Sequence, residues 1–268
     1  MAAIRIFIPL FNAREYIIET LKSVKAQTFS DWDCVISDDQ STDGSIEIAK
    51  DFIKNDERFK LILNQKHSNV ARNWNLSKLN NNSLATKILC SDDVLYPHCL
   101  EHQIKILNEN STSAVFSRRD IVLPNGKKLT PNVPIYKNRI LSKDAFALYI
   151  KSGRNIFGEP VSALFNTRDL LLSNGFSESH QYTLDLSGYY EITKGKYISF
   201  DKEVVGFFRV SQKQWSFRLL DKQNSSQTDF KKFIIQNSSI KISKFAFVIG
   251  EIKGRFFTLL RSIIYRIG

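Results

Sequence analysis

Two pairs of adjacent aspartates are the residues of this sequence best suited to chemistry. Asp38-Asp39 and Asp92-Asp93 each follow a short β-rich run, where a buried strand is expected to end. Ligands of an open α/β sheet bind outside the carboxyl ends of its strands, so we expect both pairs to meet there. Four carboxylates this close repel one another unless a cation compensates, and Mg²⁺ or Mn²⁺ prefers such oxygen ligands together with a substrate diphosphate. Aspartate is also an ordinary turn or cap residue, which explains either pair alone better than it explains both.

The elements that must position these pairs alternate strands with helices, which is typical of an α/β layer with a largely parallel sheet. The pattern predicts that Pro9 ends the first strand and that Asn12 caps a helix from about Ala13 to Gln27. Residues 196–208 alternate like a small hairpin, and the polar stretch 221–229 resembles a linker to a C-terminal helical tail. The predicted strands of the sheet are Ile4–Ile8, Asp33–Ser37, Phe59–Leu63, Ala85–Leu89, Ala114–Phe116 and Val161–Phe165.

Composition limits the class of protein. The 268 residues are 43% hydrophobic and 24% charged, and no apolar run approaches the roughly 20 residues of a membrane-spanning helix. A strand-like amino terminus is unlike a signal peptide, and three cysteines without a CxxC motif do not support a disulfide framework or a zinc ribbon. We therefore expect a cytoplasmic protein that packs its cysteines in the core: Cys34, Cys90 and Cys99.

The net charge of +11 is concentrated near the C-terminus, where eleven Lys or Arg face three acidic residues from Ser211 to Gly268. From about Ser238 onward, Phe, Ile and Leu are interleaved with these cations, which is the pattern of an amphipathic helix on an anionic membrane surface. The alternative is a helix that packs its Phe face back on the rest of the chain. A nucleic-acid-binding protein would bind oligonucleotides in a salt-dependent way, but that class leaves the paired carboxylates unexplained, so we expect no nucleic-acid partner.

Four segments together resemble the family 2 glycosyltransferases of the GT-A fold. These segments are Ile8–Asn12, Gln27-Thr28, Val35–Gly44 and Leu89–Asp93, and the resemblance extends over roughly residues 3–215. It implies a Rossmann-like, mostly parallel nucleotide-sugar-binding sheet flanked by helices. It also implies transfer of a sugar, with inversion, from a nucleotide-diphosphate donor, for which we expect a UDP-sugar. We expect this domain to occupy residues 1–216 and a basic amphipathic helical extension to occupy residues 217–268.

The resemblance also implies roles for individual residues. Asp93 would ligate Mn²⁺ or Mg²⁺, and Asp185, at a helix start after Gly175-Phe176, would be the catalytic base that accepts the acceptor hydroxyl's proton. The alternative for Asp185 is a helix cap. The positions that would hold the donor are Pro9, Phe11, Asp38, Asp39, Arg72, Asp92 and Arg209.

Two positions depart from the family's pattern. Members often read Asp-x-Asp-Asp where this chain has Cys90-Ser91-Asp92-Asp93, so one outer carboxylate is missing. Many members also read Arg-x-His where this chain has Arg209-Val210-Ser211. Metal dependence is therefore a weaker expectation than sugar transfer.

A second enzyme class with a similar layered fold, the sugar-nucleotide nucleotidyltransferases, needs a glycine-rich triphosphate loop after the first strand. Pro9–Asn12 contains no glycine, which disfavours that class. The resemblance points instead to a saccharide or lipid-linked acceptor in bacterial surface-polysaccharide synthesis, such as capsule, O-antigen or lipooligosaccharide. We accordingly expect the protein at the inner face of the cytoplasmic membrane.

Overall fold

A twisted central sheet with helices on both faces organises the protein. The structure is a computed structural model that describes residues 2–132, 137–211 and 222–267, with side chains as far as residue 262. Its strands are β1 (Ile4–Leu10), β2 (Trp32–Asp38), β3 (Phe59–Leu63), β4 (Ala85–Ile88), β5 (Val94–Leu95), β6 (Ala114–Val122), β7 (Lys128–Leu129), β8 (Lys137–Leu141), β9 (Ala163–Asn166) and β10 (Tyr197–Arg209).

The helices alternate with these strands in the first half of the chain and cluster toward its end. They are α1 (Ile17–Lys25), α2 (Ser45–Ile53), α3 (Val70–Asn75), α4 (Cys99–Asn110), α5 (Ser142–Ser152), α6 (Thr167–Leu172), α7 (Leu184–Thr193), α8 (Gln223–Gln236) and α9 (Lys244–Ile267). One large apolar cluster packs α1, α2 and α4 against the sheet, and a second packs α5, α7 and α8. The helices therefore cover the sheet as predicted.

The strand order, among the described residues, is β3-β2-β1-β4-β9-β6-β10-β5, with β7 beside β6 and β8 beside β10. Strands β1 to β4 pair in parallel, as do β6 and β10, whereas β9 runs antiparallel between β4 and β6. The prediction that Pro9 ends the first strand is wrong, because β1 continues to Leu10 and Pro9 lies opposite Ser37 of β2. Pairing of β1 with β4 stops at Phe7, so the missing N–H of Pro9 costs no bond on that side.

Three other local predictions are wrong. Asn12 does not cap a helix: its φ is 47°, its side chain accepts from Thr42 N at 2.8 Å, and α1 begins only at Ile17. Residues 196–208 form no hairpin, because β10 runs unbroken beside β6 with two register shifts. The supposed linker is helical from Gln223, and α8 buries Phe230 and Ile234 completely. The expected boundary at 216/217 lies outside the described residues.

The C-terminal helix α9 docks through glycine. A Cβ added at Gly250 would lie closer than 3.0 Å to the carbonyl oxygen of Ile150 in α5, so only glycine permits this approach of the two backbones. The buried ammonium of Lys231 in α8 also pairs with Glu251 at 2.7 Å. The opposite side of α9 exposes large apolar side chains over 53–76% of their surface, which we call the apolar strip: Phe245, Val248, Ile252, Phe256 and Leu259.

Candidate active site

The two acidic pairs occupy the loops at one edge of the sheet, as predicted. Leu10 at the end of β1 lies opposite Asp38 at the end of β2, and β4 on the other side of β1 runs into the loop that carries Asp93. Asp38, Asp39 and Asp93 are 1%, 4% and 0% exposed. Turn aspartates are normally solvated, so burial of these three side chains marks a built site rather than ordinary turns.

The loops after β1 and β2 are joined by reciprocal hydrogen bonds. Asn12 N donates to Ser41 Oγ at 3.0 Å, and Thr42 N donates to Asn12 Oδ1 at 2.8 Å. Farther along, Arg14 N donates to Asp43 Oδ2 at 2.8 Å. The polar residues that follow Asp39 therefore hold the two donor-side loops together, which is why this segment is rich in Ser, Thr and Asp.

The predicted donor residues Phe11 and Asp39 lie beside a histidine that the sequence did not single out. Asp39 accepts from Ser68 N at 2.9 Å and lies 3.0 Å from His67 Nδ1, so its carboxylate orders the loop after β3. The half-exposed Phe11 ring packs against the His67 imidazole, with ring centroids 4.9 Å apart. This pair of rings offers a surface on which a nucleobase can stack.

Arg72 lies at the rim of the candidate site and not among the acidic pairs. Its Nε donates to Glu178 Oε1 at 2.7 Å, which links α3 to the loop that precedes α7. The pair is largely exposed, so its contribution to stability is small. The predicted donor contact Arg72 is therefore an exposed side chain that pairs with Glu178.

Two side chains of helix α1, and Gln27 just beyond its end, bind the backbone of the second acidic loop and the residues that follow it. Thr20 Oγ1 donates to Asp93 O at 2.8 Å and Ser23 Oγ accepts from Leu95 N at 3.2 Å. Gln27 donates to Tyr96 O at 2.9 Å and accepts from Leu100 N at 3.0 Å. These residues recur at helical spacing, so the family-like Gln27 has a structural role, whereas Thr20 and Ser23 could have been found only as polar residues on an otherwise apolar face.

Asp93 is the most constrained of the acidic residues. Its Oδ1 accepts from Arg209 N at 3.2 Å, while Oδ2 is buried and has no hydrogen-bond partner within the described part of the chain. Burial, with the nearby charge of Asp92, raises the pKa of Asp93 well above its usual range. An ionised carboxylate is costly to bury without a donor or a cation, so this oxygen fits a ligand of a divalent ion.

Arg209 closes the other side of this loop. Its Nε donates to the carbonyl oxygen of Asp92 at 3.1 Å, and its guanidinium pairs with Glu19. The same group lies 4.8 Å from the centroid of the Tyr16 ring. The predicted phosphate contact is therefore held in place beside Asp92 and Asp93 by α1 and the residue before it.

The loop residue Cys90 marks where the acidic residues converge. The thiol is partly buried and packs against the apolar cluster of α5, α7 and α8, while Cys34 and Cys99 are fully buried, so the expected core packing holds for all three cysteines. Burial raises the pKa of Cys90 well above its usual range, and four neighbouring carboxylates raise it further. These are Asp93, Asp92, Asp185 and Glu159. The predicted base Asp185 and the predicted metal ligand Asp93 are therefore both near Cys90.

Asp185 lies in the first turn of α7. The N-cap of that helix is Thr183, and the Asp185 carboxylate accepts from the adjacent Leu186 N at 2.8 Å. Burial raises the pKa of Asp185 to about 7, and the charge of Glu159 adds to this effect while Arg261 opposes it. A carboxyl group with a pKa near neutrality is suited to accept a proton from a substrate hydroxyl.

Glu159 and Arg119 form a buried ion pair that the sequence did not reveal. Arg119 Nε in β6 donates to Glu159 Oε2, and both side chains are mostly shielded from solvent. Burial raises the pKa of Glu159, but the charge and hydrogen bond of Arg119 outweigh it and lower the pKa below its usual value. The pair therefore places a fixed carboxylate beside Asp185, and no local sequence pattern signals it because its members lie 40 residues apart.

Residues 5–159 match the family model "Glycosyl transferase family 2", which is more than half of the chain. The chain belongs to glycosyl transferase family 2. The matched residues include both acidic loops and end at Glu159, so Asp185 and Arg209 lie beyond them.

Curated relatives of this family 2 chain include bacterial polysaccharide enzymes. The putative teichuronic acid biosynthesis glycosyltransferase TuaG of Bacillus subtilis is 33% identical over 47% of this chain and 50% of its own. The UDP-Glc:alpha-D-GlcNAc-diphosphoundecaprenol beta-1,3-glucosyltransferase WfgD of Escherichia coli is 31% identical over 52% of this chain and 54% of its own. The chain thus spans about half the length of these curated relatives.

Solved structures confirm the GT-A fold predicted for this family 2 chain. The structure of S. aureus TarS 1–349 in complex with UDP-GlcNAc aligns with a TM-score of 0.72 and 16% identity, over 96% of this chain and 71% of that one. The mannosyltransferase PcManGT from Pyrobaculum calidifontis, in complex with GDP-Man and Mn²⁺, aligns with a TM-score of 0.64 and 15% identity, over 94% and 69%.

Proposed function

We propose that this family 2 protein transfers a sugar, with inversion, from a UDP-sugar to a saccharide or lipid-linked acceptor. The observation that carries the proposal is the buried Oδ2 of Asp93 at the carboxyl edge of the parallel strands, which has no hydrogen-bond partner among the described residues. The relatives support a uridine donor, since the names of WfgD and of the TarS complex both contain a UDP-sugar. Residues 1–216 form the catalytic domain in this proposal, and residues 217–268 form an extension whose first helix shares its core.

The donor is held from two sides of the edge. The nucleobase stacks near Phe11 and His67. The loops that carry Pro9, Asp38 and Asp39 lie on either side of it. Arg72 reaches the nucleotide from α3. Arg209 contacts the diphosphate, and Asp92 faces the ribose or the metal ion. These proposed contacts rest on the position of the side chains at the carboxyl edge of the sheet.

Inverting transfer needs a base on the acceptor side of the anomeric carbon. The acceptor hydroxyl oxygen forms a bond to this carbon, the bond from the carbon to the diphosphate oxygen breaks, and its electron pair leaves with the nucleotide. The hydroxyl proton passes to the carboxylate of Asp185, whose pKa of about 7 suits it to this role. The Arg119 and Glu159 pair keeps a negative charge beside Asp185 and so favours uptake of the proton.

Mn²⁺ or Mg²⁺ fits the acidic loop. Asp93 would hold the ion through the oxygen that lacks a donor, and Asp92 lies beside it. The bound ion would supply positive charge to the departing diphosphate. The Thr20 hydroxyl binds the backbone of the loop that carries Asp92 and Asp93, and so it helps to orient their carboxylates before the donor binds.

The proposed donor predicts a selective thermal shift. We expect a UDP-sugar with Mn²⁺ or Mg²⁺ to raise the melting temperature more than GDP-mannose with the same ion, because the names of WfgD and of the TarS complex both contain a UDP-sugar. A panel of nucleotide sugars, scored for melting temperature and for slow release of the nucleotide, measures this. Equal shifts from all nucleotides, or none with any ion, would refute the proposed donor.

The names of two relatives suggest the biological process and the cellular location of the acceptor. TuaG is named for teichuronic acid biosynthesis and WfgD for a diphosphoundecaprenol acceptor, which supports a role in bacterial surface-polysaccharide assembly at the inner face of the cytoplasmic membrane. No helix within the described ranges combines the length and the apolarity needed to cross a bilayer. A lipid-linked acceptor requires a means of reaching the membrane surface.

The apolar strip of α9 provides that means in our proposal. It exposes five large apolar residues along one side of a docked helix, and exposed cations flank it at Lys241, Lys244, Lys253 and Arg255. Apolar side chains that enter the acyl boundary, with Lys and Arg at the headgroups, are the arrangement of an interfacial helix on an anionic leaflet. Arg261 of the same helix lies 3.5 Å from Tyr182, three residues before Asp185, so a surface-bound α9 keeps the candidate site near the lipid headgroups.

Substituting two residues of the apolar strip should release the protein from vesicles. The double variant Ile252→Gln, Phe256→Gln is expected to lose most of the co-sedimentation with phosphatidylglycerol vesicles at low salt, with little change in melting temperature because both side chains are exposed. Leu172→Gln is the matched control, since Leu172 is 74% exposed on α6. Removal of the whole helix is a poor test because it would leave the buried Lys231 without Glu251. Unchanged co-sedimentation of the double variant would contradict the proposed surface.

A further inference from the structure

The position at which this chain departs from its family lies directly in the candidate metal site. Cys90 Sγ and one carboxylate oxygen each of Asp92 and Asp93 lie within 4.8 Å of one another. Three donor atoms at such spacing can close around a single ion with small rotations of their side chains. Family members often have an aspartate at position 90. The structure places the Cys90 thiol beside the carboxylates of Asp92 and Asp93.

A second observation, independent of the cysteine, points to a bound cation. Asp93 is fully buried and its Oδ2 has no hydrogen-bond donor in the part of the chain that the structure describes. The loop is also tied to α1, because the single Thr20 hydroxyl proton is shared between the carbonyl oxygens of Ser91 and Asp93, which lie 3.0 and 2.8 Å from Oγ1. The loop therefore presents a preformed set of ligands around an uncompensated buried oxygen.

We propose that Cys90 is the third protein ligand of this centre and that its sulfur shifts the site's preference from Mg²⁺ toward softer divalent ions such as Co²⁺ and Zn²⁺. This inference rests on the proposed function, which places a divalent ion at Asp93. On binding, the Cys90 thiol loses its proton to solvent and the sulfur lone pair forms a bond to the metal, with no change in oxidation state. A thiolate suits Zn²⁺ and Co²⁺ but is a poor ligand for Mg²⁺, which prefers oxygen.

Cobalt binding tests the bond directly and without catalysis. Addition of Co²⁺ to the full-length protein, alone and with UDP, is expected to give a near-ultraviolet sulfur-to-cobalt charge-transfer band. The band should vanish in Cys90→Ser and persist in Cys99→Ser. The control is matched because Cys99 is buried and donates to Gln103 Oε1 at 3.5 Å, a hydrogen bond that serine can retain. Cobalt bound without this band in the parent would overturn the assignment.

Calorimetry of metal binding tests the preference. Cys90→Ser should weaken Co²⁺ and Zn²⁺ binding by about 10-fold or more and leave Mg²⁺ within about threefold, because only the softer ions use the sulfur. Cys90→Asp, which restores the family's carboxylate, should tighten Mg²⁺ binding relative to the parent. Equal losses for all ions in Cys90→Ser would overturn the proposal. If Asp93→Ala removes metal binding while Cys90→Ser changes nothing, the thiolate ligand is wrong and the proposed function stands. If the parent binds no divalent ion with UDP, the metal-dependent function fails as well.

Discussion

Replacing Asp93 with alanine is expected to abolish metal-dependent donor binding. The buried Oδ2 of Asp93 has no hydrogen-bond partner within the described residues, so the variant loses the most deeply buried of the proposed ligands of the ion. Loss of an outer partner of a metal site typically costs 10–100-fold in affinity, and we expect loss of this direct ligand to cost about 100-fold or more. Calorimetric titration of UDP in the presence of Mn²⁺ or Mg²⁺ measures this loss.

Two controls separate ion binding from folding. Asp93→Asn keeps an acceptor for Arg209 N but removes the charge, so it should fold and still lose the ion. Asp51→Ala changes an exposed carboxylate of α2 and should leave UDP affinity unchanged. Parent-like affinity of either Asp93 variant for UDP with the ion present would move the metal site away from this residue.

Asp185→Asn is expected to keep donor binding and to lose about 10²–10⁴-fold in the rate of transfer. The amide is nearly isosteric with the carboxyl group but cannot take a proton at neutral pH. In the parent, transfer should rise with pH until the carboxyl is ionised, which the pKa of about 7 places near neutrality. Single-turnover transfer, with UDP affinity measured in parallel, separates these effects, and a near-parent rate in the variant would place the base elsewhere.

The same substitution should stabilise the fold at alkaline pH. Because burial raises the pKa of Asp185 above its unfolded value, the folded state favours the neutral carboxyl, and the stability it contributes is lost as pH rises from about 4 through about 7. Asparagine carries no charge, so the variant should exceed the parent by about 1–3 kcal/mol at pH 8 and match it near pH 4. Urea unfolding at the two pH values measures this difference, and a variant less stable than the parent at pH 8 would contradict it.

The position of the two acidic pairs at one edge of the sheet could be predicted from the local sequence pattern and from the parallel arrangement of the strands. Short apolar runs ending in Asp38-Asp39 and Asp92-Asp93 indicated strand ends, and parallel strands bring such ends together. Glu159 and Arg119 could not be found in this way, because their ion pair depends on the packing of a loop against β6. His67 was missed for the same reason: its contact with Phe11 is set by the path of the loop after β3.

The local errors have equally physical causes. Asn12 has the composition of a helix cap, but its conformation is decided by Thr42, thirty residues later. The alternation in residues 196–208 correctly predicts β structure. These residues form one strand, β10, whose pairing with β6 has register shifts, and not the two strands of a hairpin. The polar composition of residues 223–229 gave no sign of α8, because burial of Phe230 and Ile234 stabilises that helix from its far end.

The two sides of α9 have different surroundings, because one docks on the protein and the other is exposed. Helix α9 is held by the close approach of Gly250 to Ile150 and by the Lys231–Glu251 ion pair, and neither contact involves the apolar strip. In the proposed membrane contact, the strip can therefore engage a lipid surface while Gly250 keeps α9 close to α5. One side of α9 would thus dock on the protein and the other on a bilayer, so the proposed membrane contact needs no rearrangement of the helix.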